Sequence, residues 1–308
     1  MPESIAETAR DDEVRAALGE TLESPPPLID EAAAAELVHR HYGLGAEART
    51  IACERDANFQ MTAEDGRNFT LKVSNPGEPA VNTNFQTEAI LWLERVDPGL
   101  PVPKVVRALD GQSEFPLRMA DGRTSIVRML TWLDGVPVVR VGVSAALRRD
   151  MGRTLARLGA ALRDFDHPGA SHDIQWDIKH ASRLRPLVVS LSETGLRRQL
   201  LAELDHFDAA VRPALAGLRQ QVVHNDLNHH NVLLDPPCPD RVSGVLDFGD
   251  MVKTPLVVDL AVAASYMTHQ DDGALRCVAE MAAAYHEVMP LSRDEIGLLR
   301  DLIVARLM

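Results

Sequence analysis

The stretch Val222–Pro237, VVHNDLNHHNVLLDPP, crowds three histidines, three asparagines and two aspartates between apolar residues. Three readings compete for it: a metal knot, a catalytic loop, or a polar turn between two strands. Histidines His224, His229 and His230 suggest zinc, but their spacing is neither a helical i, i+4 pair nor a finger, and no cysteine stands near enough to help. Asparagine and aspartate favour turns in any protein, so the loop alone says little. What decides the reading is spacing. Asp226 precedes Asn231 by five residues, and Asp247-Phe248-Gly249 begins sixteen residues after Asn231. Phosphoryl transfer needs a carboxylate beside the attacking hydroxyl and hard oxygen ligands for Mg²⁺ close by. One loop offers Asp226 as the proton acceptor and Asn231 as a metal ligand, and a neighbouring strand delivers Asp247 as the second ligand.

Bulk properties agree. A chain of 308 residues exceeds one comfortable core, so two lobes are expected. With 45% apolar and 25% charged residues it has the composition of a globular domain. A net charge of −13 argues against a nucleic-acid binder, which needs a basic face. It leaves room for a nucleotide held by a few local cations and favours a cationic small-molecule substrate. The three cysteines, Cys53, Cys238 and Cys277, form no C-x-x-C pair. No signal peptide opens the chain, and no run of about eighteen apolar residues would span a membrane. A cytoplasmic protein is expected.

Residues 1–28 are acidic, end in Pro25-Pro26-Pro27, and read as a flexible leader. Asp30 caps an Ala-rich helix closed by Gly43. IACERDANFQMTAEDGRNFTLKVSNP reads as strands, with a hairpin turn at Asp65-Gly66 and Lys72 on the last strand. TNFQTEAILWLERV is an amphipathic helix with Phe85, Ala89, Trp92 and Val96 on one stripe and Glu88 at its margin. LPVPKVVRAL and TSIVRMLTWL are further strand candidates. From Ser144 the chain turns helical. Leu147, Met151, Leu155, Leu158, Leu162 and Phe165 form one stripe. Leu196, Leu200, Leu204, Phe207, Val211 and Leu215 form another, kinked near Pro213. QQVV and SGVLDF are short strands flanking the polar loops. Three helices follow, the last opened by the capping box Ser292–Glu295. That helix shows no closing signal at Met308, and a chain cut from a longer multidomain protein is expected.

Lys72 on a small-lobe strand, Glu88 on the next helix, Asp226, Asn231 and Asp247 therefore occur in the order of the protein-kinase elements. There is no activation segment with an A-P-E motif, so a small acceptor is expected. LKVSNP, TEAILWLERV, LPVPKVV, LDGVP, HNDLNHHNVLL, VSGVLDFGDM and VVDLAVAASY resemble the aminoglycoside phosphotransferase and choline kinase superfamily over residues 31–308. ERDANFQM, HDIQWDIKHA and LDFGDMVKTPLVVDLA look closest to hydroxylysine kinases, and to kinase domains fused to class III pyridoxal-phosphate aminotransferase-like proteins.

The resemblance implies an α+β, bilobal protein-kinase-like fold. Residues 29–133 would be a small β-sheet N-lobe for the nucleotide, and residues 134–308 a mainly helical C-lobe. It implies ATP or GTP as co-substrate with Mg²⁺, Asp226 as catalytic base, Asn231 and Asp247 on the metal, and Lys72 on the phosphates, positioned by Glu88. The connector backbone at Thr131 and Leu133 would meet the base. His224 and Asp259 would support the loop. One departure is plain: no G-x-G-x-x-G precedes Lys72, and ERDANF fills that hairpin, which points to Arg55 or Asn58 for the phosphates.

For the acceptor the likeness points to a hydroxylysine-like amino alcohol. Trp176, Asp177 and Asp250 would suit its ammonium. An aminoglycoside, homoserine or sugar acceptor stands as the alternative, as does an inactive nucleotide-binding module regulating a pyridoxal-phosphate-dependent C-terminal domain.

Overall fold

The computed structural model describes residues 24–308 apart from 54 and 269–272. Most of the expected leader, residues 1–23, lies outside the described residues. The remainder is docked. Asn75 donates its side-chain amide to the carbonyl of Ser24 (3.0 Å), and Pro27 is buried.

Helix α1 (Glu31–Tyr42) starts where the Asp30 carboxylate accepts the Ala33 N–H (2.8 Å). It covers one face of an antiparallel sheet built from β1 (Ala46–Ile51), β2 (Ala57–Ala63), β3 (Asn68–Val73), β4 (Val105–Val106), β5 (Phe115–Arg118) and β6 (Thr124–Thr131). The path is β1-β2-β3-β6-β4, with β5 also on β6. At the turn between β2 and β3, Gly66 adopts φ 83°, as a tight hairpin requires. Alternation sorts the faces. Phe59, Met61, Leu71, Val127 and Met129 pack with Ala34 and Val38 of α1 into one core. On the other face the register aligns Asn58 with Lys72 and Lys72 with Arg128, giving a polar row across three strands. Helix α2 (Ala80–Val96) runs beside that row. The strand expected in LPVPKVVRAL shrinks to two residues, because Pro101 and Pro103 withhold ladder donors.

After the connector, β7 (Val136–Pro137) joins β9 (Val232–Asp235) and β10 (Cys238–Val245), while β8 (Gln220–Val223) pairs β11 (Val252–Pro255). Around these two small sheets lie α3 (Ala145–Ala161), α4 (Arg185–Ser190), α5 (Thr194–His206), α6 (Arg212–Leu215), α7 (Leu256–Ser265), α8 (Ala274–Val288) and α9 (Arg293–Leu307). Leu147, Met151, Leu155, Leu158 and Leu162 are buried as the stripe predicts. Gly152 lets α3 meet α8, since a side chain there would strike the Met281 carbonyl. The second stripe is broken as Pro213 demands: a π-turn over Phe207–Val211 separates α5 from α6. Leu196, at its start, is exposed instead of buried. Helix α7 is buried along its whole length and forms the spine of the second core. The architecture is α+β and bilobal, a small sheet followed by a mainly helical part. Among the described residues no helix is long and apolar enough to cross a membrane.

Candidate active site

Two loops build the site. Residues 224–231 run from β8 to β9, and residues 246–251 run from β10 to β11. Both connect the same two small sheets, so they lie side by side. His224 donates from Nε2 to the Leu246 carbonyl (2.9 Å), and Leu246 N–H donates to the Asn231 carbonyl (2.8 Å). Phe248 packs edge-on against the His224 ring, 5.1 Å between centroids. Burial holds His224 below its usual pKa, which suits a neutral donor fixed in one tautomer. From the buried spine α7, the Asp259 carboxylate accepts the Asn225 N–H (2.7 Å). Asn225 and Asp247 both adopt positive φ, 64° and 54°. For non-glycine residues such backbone persists only where the surroundings enforce it.

Asp226 sits at the centre. Its Oδ2 accepts from the side-chain amides of Asn228 and Asn231, each at 2.8 Å. Its Oδ1 faces Arg306 at 3.5 Å. Burial first, then the nearby Asp250 charge, push its pKa up to about 6, against the pull of Asn228 and Arg306. Asn231 spends its amide N–H groups on Asp226 Oδ2 and on the Asp226 carbonyl (3.0 Å), which turns its Oδ1 away from the loop. Asp247 Oδ1 meets Lys72 Nζ at 3.3 Å and the Gly249 N–H at 3.2 Å. The Lys72 ammonium holds Asp247 down at about 2, fully ionised. Asn231 immediately precedes β9 and Asp247 follows β10, and Val232 opposes Val245 in that hairpin. An amide oxygen and an ionised carboxylate thus stand at one hairpin end. That donor set fits Mg²⁺, which takes one or two protein oxygens and leaves the rest to water and phosphate.

From the sheet, Lys72 crosses to Asp247 between Asn58 and Arg128. Asn58 carries a buried Oδ1 with no hydrogen-bond partner among the described residues. Glu88, expected to orient Lys72, is exposed and lies off the buried face of its helix. The buried face of α2 runs through Thr83, Gln86, Thr87 and Ile90, and two residues along a helix rotate a side chain by about 200°. Gln86 stands where Glu88 was expected: its amide N–H reaches the Gly249 carbonyl at 3.5 Å, and its Oε1 accepts from buried Arg128. Arg128 also donates to the Thr83 carbonyl (2.9 Å). Arg55 reaches Asp250 (3.3 Å) and lies over the Trp176 ring, 5.2 Å from its centroid. At the connector, Thr131 N–H is already bonded to the Lys104 carbonyl (2.9 Å), so it is not free to meet a base. Leu133 lies beyond the end of β6, against Gly244.

Beside the 246–251 loop, Trp176 Nε1 donates to Asp250 Oδ2 (2.9 Å). Asp177 does not join them. It is fully buried, caps the turn at Lys179 N–H (3.2 Å), accepts from Thr254 Oγ1 (3.2 Å) and pairs with Lys179 Nζ (2.8 Å). Its apolar surroundings require those partners, so it ties the 173–184 segment to β11 and does not meet a ligand. The histidines of the opening stretch part company: His229 lies tilted against Tyr266, 5.7 Å between centroids, and His230 is exposed.

Residues 47–295 match the model of the phosphotransferase enzyme family. A hydroxylysine kinase of Mus musculus is 28% identical over 307 residues, covering 92% of this chain and 81% of that protein. A homoserine kinase of Pseudomonas aeruginosa is 28% identical over 246 residues, covering 78% of this chain and 71% of that protein. Among solved structures, an amicoumacin kinase in complex with AMP-PNP and Ca²⁺ superposes with TM-score 0.70 at 15% identity, over 90% of this chain and 84% of that one. A microcompartment-associated aminopropanol kinase gives TM-score 0.69 at 20% identity, over 89% and 86%. With a bilobal kinase-like fold, paired site loops and a family match over most of its length, the chain belongs to the phosphotransferase enzyme family, as a kinase of small molecules.

Proposed function

We propose that this protein transfers the γ-phosphate of ATP or GTP to the hydroxyl of a small, hydroxylysine-like amino alcohol, with Mg²⁺. The observation that carries the reading is the arrangement around Asp226. A carboxylate with a raised pKa stands beside Asn231, whose Oδ1 is turned outward, and across from the ionised Lys72–Asp247 pair. In this reading residues 29–133 bind the nucleotide and residues 134–308 the acceptor. Asn231 and Asp247 would hold the metal, which when bound neutralises charge on the phosphate oxygens. Lys72 would turn to the α- and β-phosphates, with Arg55 at the outer edge, and the connector backbone at Thr131 and Leu133 would meet the base. Asp226 orients the acceptor hydroxyl and takes its proton as the new O–P bond forms and the bond to the β-phosphate oxygen breaks. The nucleoside diphosphate leaves, and Asp226 returns the proton to solvent. Catalysis of this kind is positioning and electrostatics.

Relatives named hydroxylysine kinase over most of the chain support the acceptor class. Asp250 and Trp176 support it chemically, because a carboxylate and an aromatic face suit an ammonium group. The intact set Lys72, Asp226, Asn231 and Asp247 argues against an inactive module. A cytoplasmic setting belongs to the same reading, since Cys53 and Cys238 are exposed free thiols. A phosphorylated product would also suit a pyridoxal-phosphate-dependent partner, because phosphate leaves far more readily than hydroxide. The test is a panel of hydroxylated amines, aminoglycosides and sugars with Mg·ATP and Mg·GTP, read as nucleoside diphosphate release. Turnover of the hydroxylated amines, lost in Asp226→Asn, is expected. Turnover confined to sugars or aminoglycosides would overturn the acceptor assignment.

A further inference from the structure

The phosphotransfer chemistry above makes no use of Arg306. This residue lies in the last turn of α9, and its side chain is only 15% exposed. Nη1 donates to the Trp176 carbonyl at 3.1 Å. Nη2 stands 3.4 Å from Tyr266 Oη and 3.5 Å from Asp226 Oδ1, both long for a charged donor. A guanidinium has five N–H groups in a planar fork that matches a carboxylate two bonds at a time. Among the described residues, only one of these is engaged at ordinary length. Such a cation, held beside the catalytic loop and poorly satisfied, is built for an anionic partner.

Two opposite charges therefore stand about Trp176, beside Asp226. Trp176 bridges them: its ring N–H holds Asp250, and its carbonyl holds Arg306. A plain amino alcohol would use Asp250 and be repelled by Arg306. A polyamine would be repelled more strongly. A zwitterionic head uses both. Its ammonium meets Asp250, and its carboxylate takes the fork of Arg306. The same binding draws the guanidinium toward the ligand and leaves Asp226 Oδ1 to the acceptor hydroxyl. In a short hydroxylated amino acid few bonds separate hydroxyl and carboxylate, as few ångströms separate Asp226 and Arg306.

We propose that Arg306 is the carboxylate-binding, specificity-determining residue of this site, taking the acid group that a hydroxylysine-like acceptor carries and its decarboxylated analogue lacks. The proposal rests on the kinase reading above and assigns a partner to the acceptor's acid group.

The test measures kcat/KM of the full chain for matched pairs, homoserine against aminopropanol and hydroxylysine against diaminopentanol. Wild type is expected to favour the acid by at least about 100-fold, because a site built for a charged hydrogen-bonding group rejects the analogue lacking it. In Arg306→Gln that ratio should fall to within about fivefold of unity, chiefly through KM for the acid, and Arg306→Lys should keep part of it. A wild-type ratio near one overturns the proposal and needs no variant to fold. A loss in Arg306→Gln that is equal for both members of a pair also overturns it, and makes Arg306 only a positioning residue for Asp226. Phosphorylation of neither member, with turnover of a sugar or an aminoglycoside, is a different result. It removes the acceptor reading itself and this proposal with it.

Discussion

Asp226 illustrates what single residues contribute. Its carboxyl titrates near 6 because burial and Asp250 outweigh Asn228 and Arg306. A proton acceptor works only when ionised. Activity should therefore be full above that pH and fall about tenfold per unit below it, as protonated Asp226 accumulates. The neighbours move this limb in opposite directions. Removing the Asp250 charge in Asp250→Asn lowers the Asp226 pKa, so the acid limb shifts to lower pH. Removing Arg306 shifts it to higher pH. Profiles of kcat/KM against pH for the two variants check both signs. Asp226→Asn keeps the shape but not the base, and kcat should drop by at least about 10²-fold. At this scale Asp226, Asn231, Asp247 and Lys72 were legible, because their spacing is carried by short local strings. Arg306 was not. It sits in an ordinary apolar stripe with Leu302 and Ile303, about eighty residues beyond the loop it joins, and no local pattern marks it.

At the scale of elements, the paired loops depend on α7. Asp259 is wholly buried, and burial pushes its carboxyl up to about 7 despite the backbone N–H bonds of Asn225 and His224. Those bonds hold Asn225 in its left-handed conformation one residue before Asp226. Asp259→Ala leaves the Asn225 N–H buried and unpaired, which costs about 1–3 kcal/mol. Thermal unfolding should show a lower Tm, and kcat should fall more than KM rises, because Asp226 loses its placement rather than the protein its binding groups. An unchanged kcat in a folded Asp259→Ala protein would remove α7 from the mechanism. Element types were largely readable, since alternation and helical period are strong in β2, β3, β6 and α3. Phase was not. The stripe assigned to α2 included Val96, which is exposed, and set Glu88 near the core face. A small error in phase there exchanges Glu88 for Gln86, two residues apart but on opposite sides. The signal that separates them lies across the sheet: Arg128, a cation inside the apolar run SIVRML, needs an acceptor from the facing helix, and Gln86 supplies it.

The whole molecule is held closed by charge across its cleft. Lys72 of β3 meets Asp247, Arg55 of the β1–β2 turn meets Asp250, and Gln86 of α2 meets Gly249, so each contact joins the N-terminal lobe to the 246–251 loop. These pairs place two basic groups and two carboxylates where a nucleotide phosphate chain and its metal would lie. Metal and nucleotide compete for the same charges: Asp247 exchanges an ammonium for a cation of higher charge, and Lys72 exchanges a carboxylate for phosphate. Neither partner alone satisfies both. Nucleotide with Mg²⁺ should therefore stabilise the fold well beyond the sum of their separate effects. At a hundredfold excess over Kd the linkage amounts to about 2.7 kcal/mol, a rise in Tm of several degrees. Asp247→Ala should abolish the metal-dependent part and leave a smaller rise with nucleotide alone, which Lys72 and Arg55 can still bind. Lys72→Met should show the reverse loss, weakening nucleotide binding while Asp247 stays available to the metal. Melting curves of the three proteins with metal, nucleotide and both measure the coupling. Additive shifts in wild type would mean that the two ligands do not share these charges, and the cleft would then be bridged for stability alone.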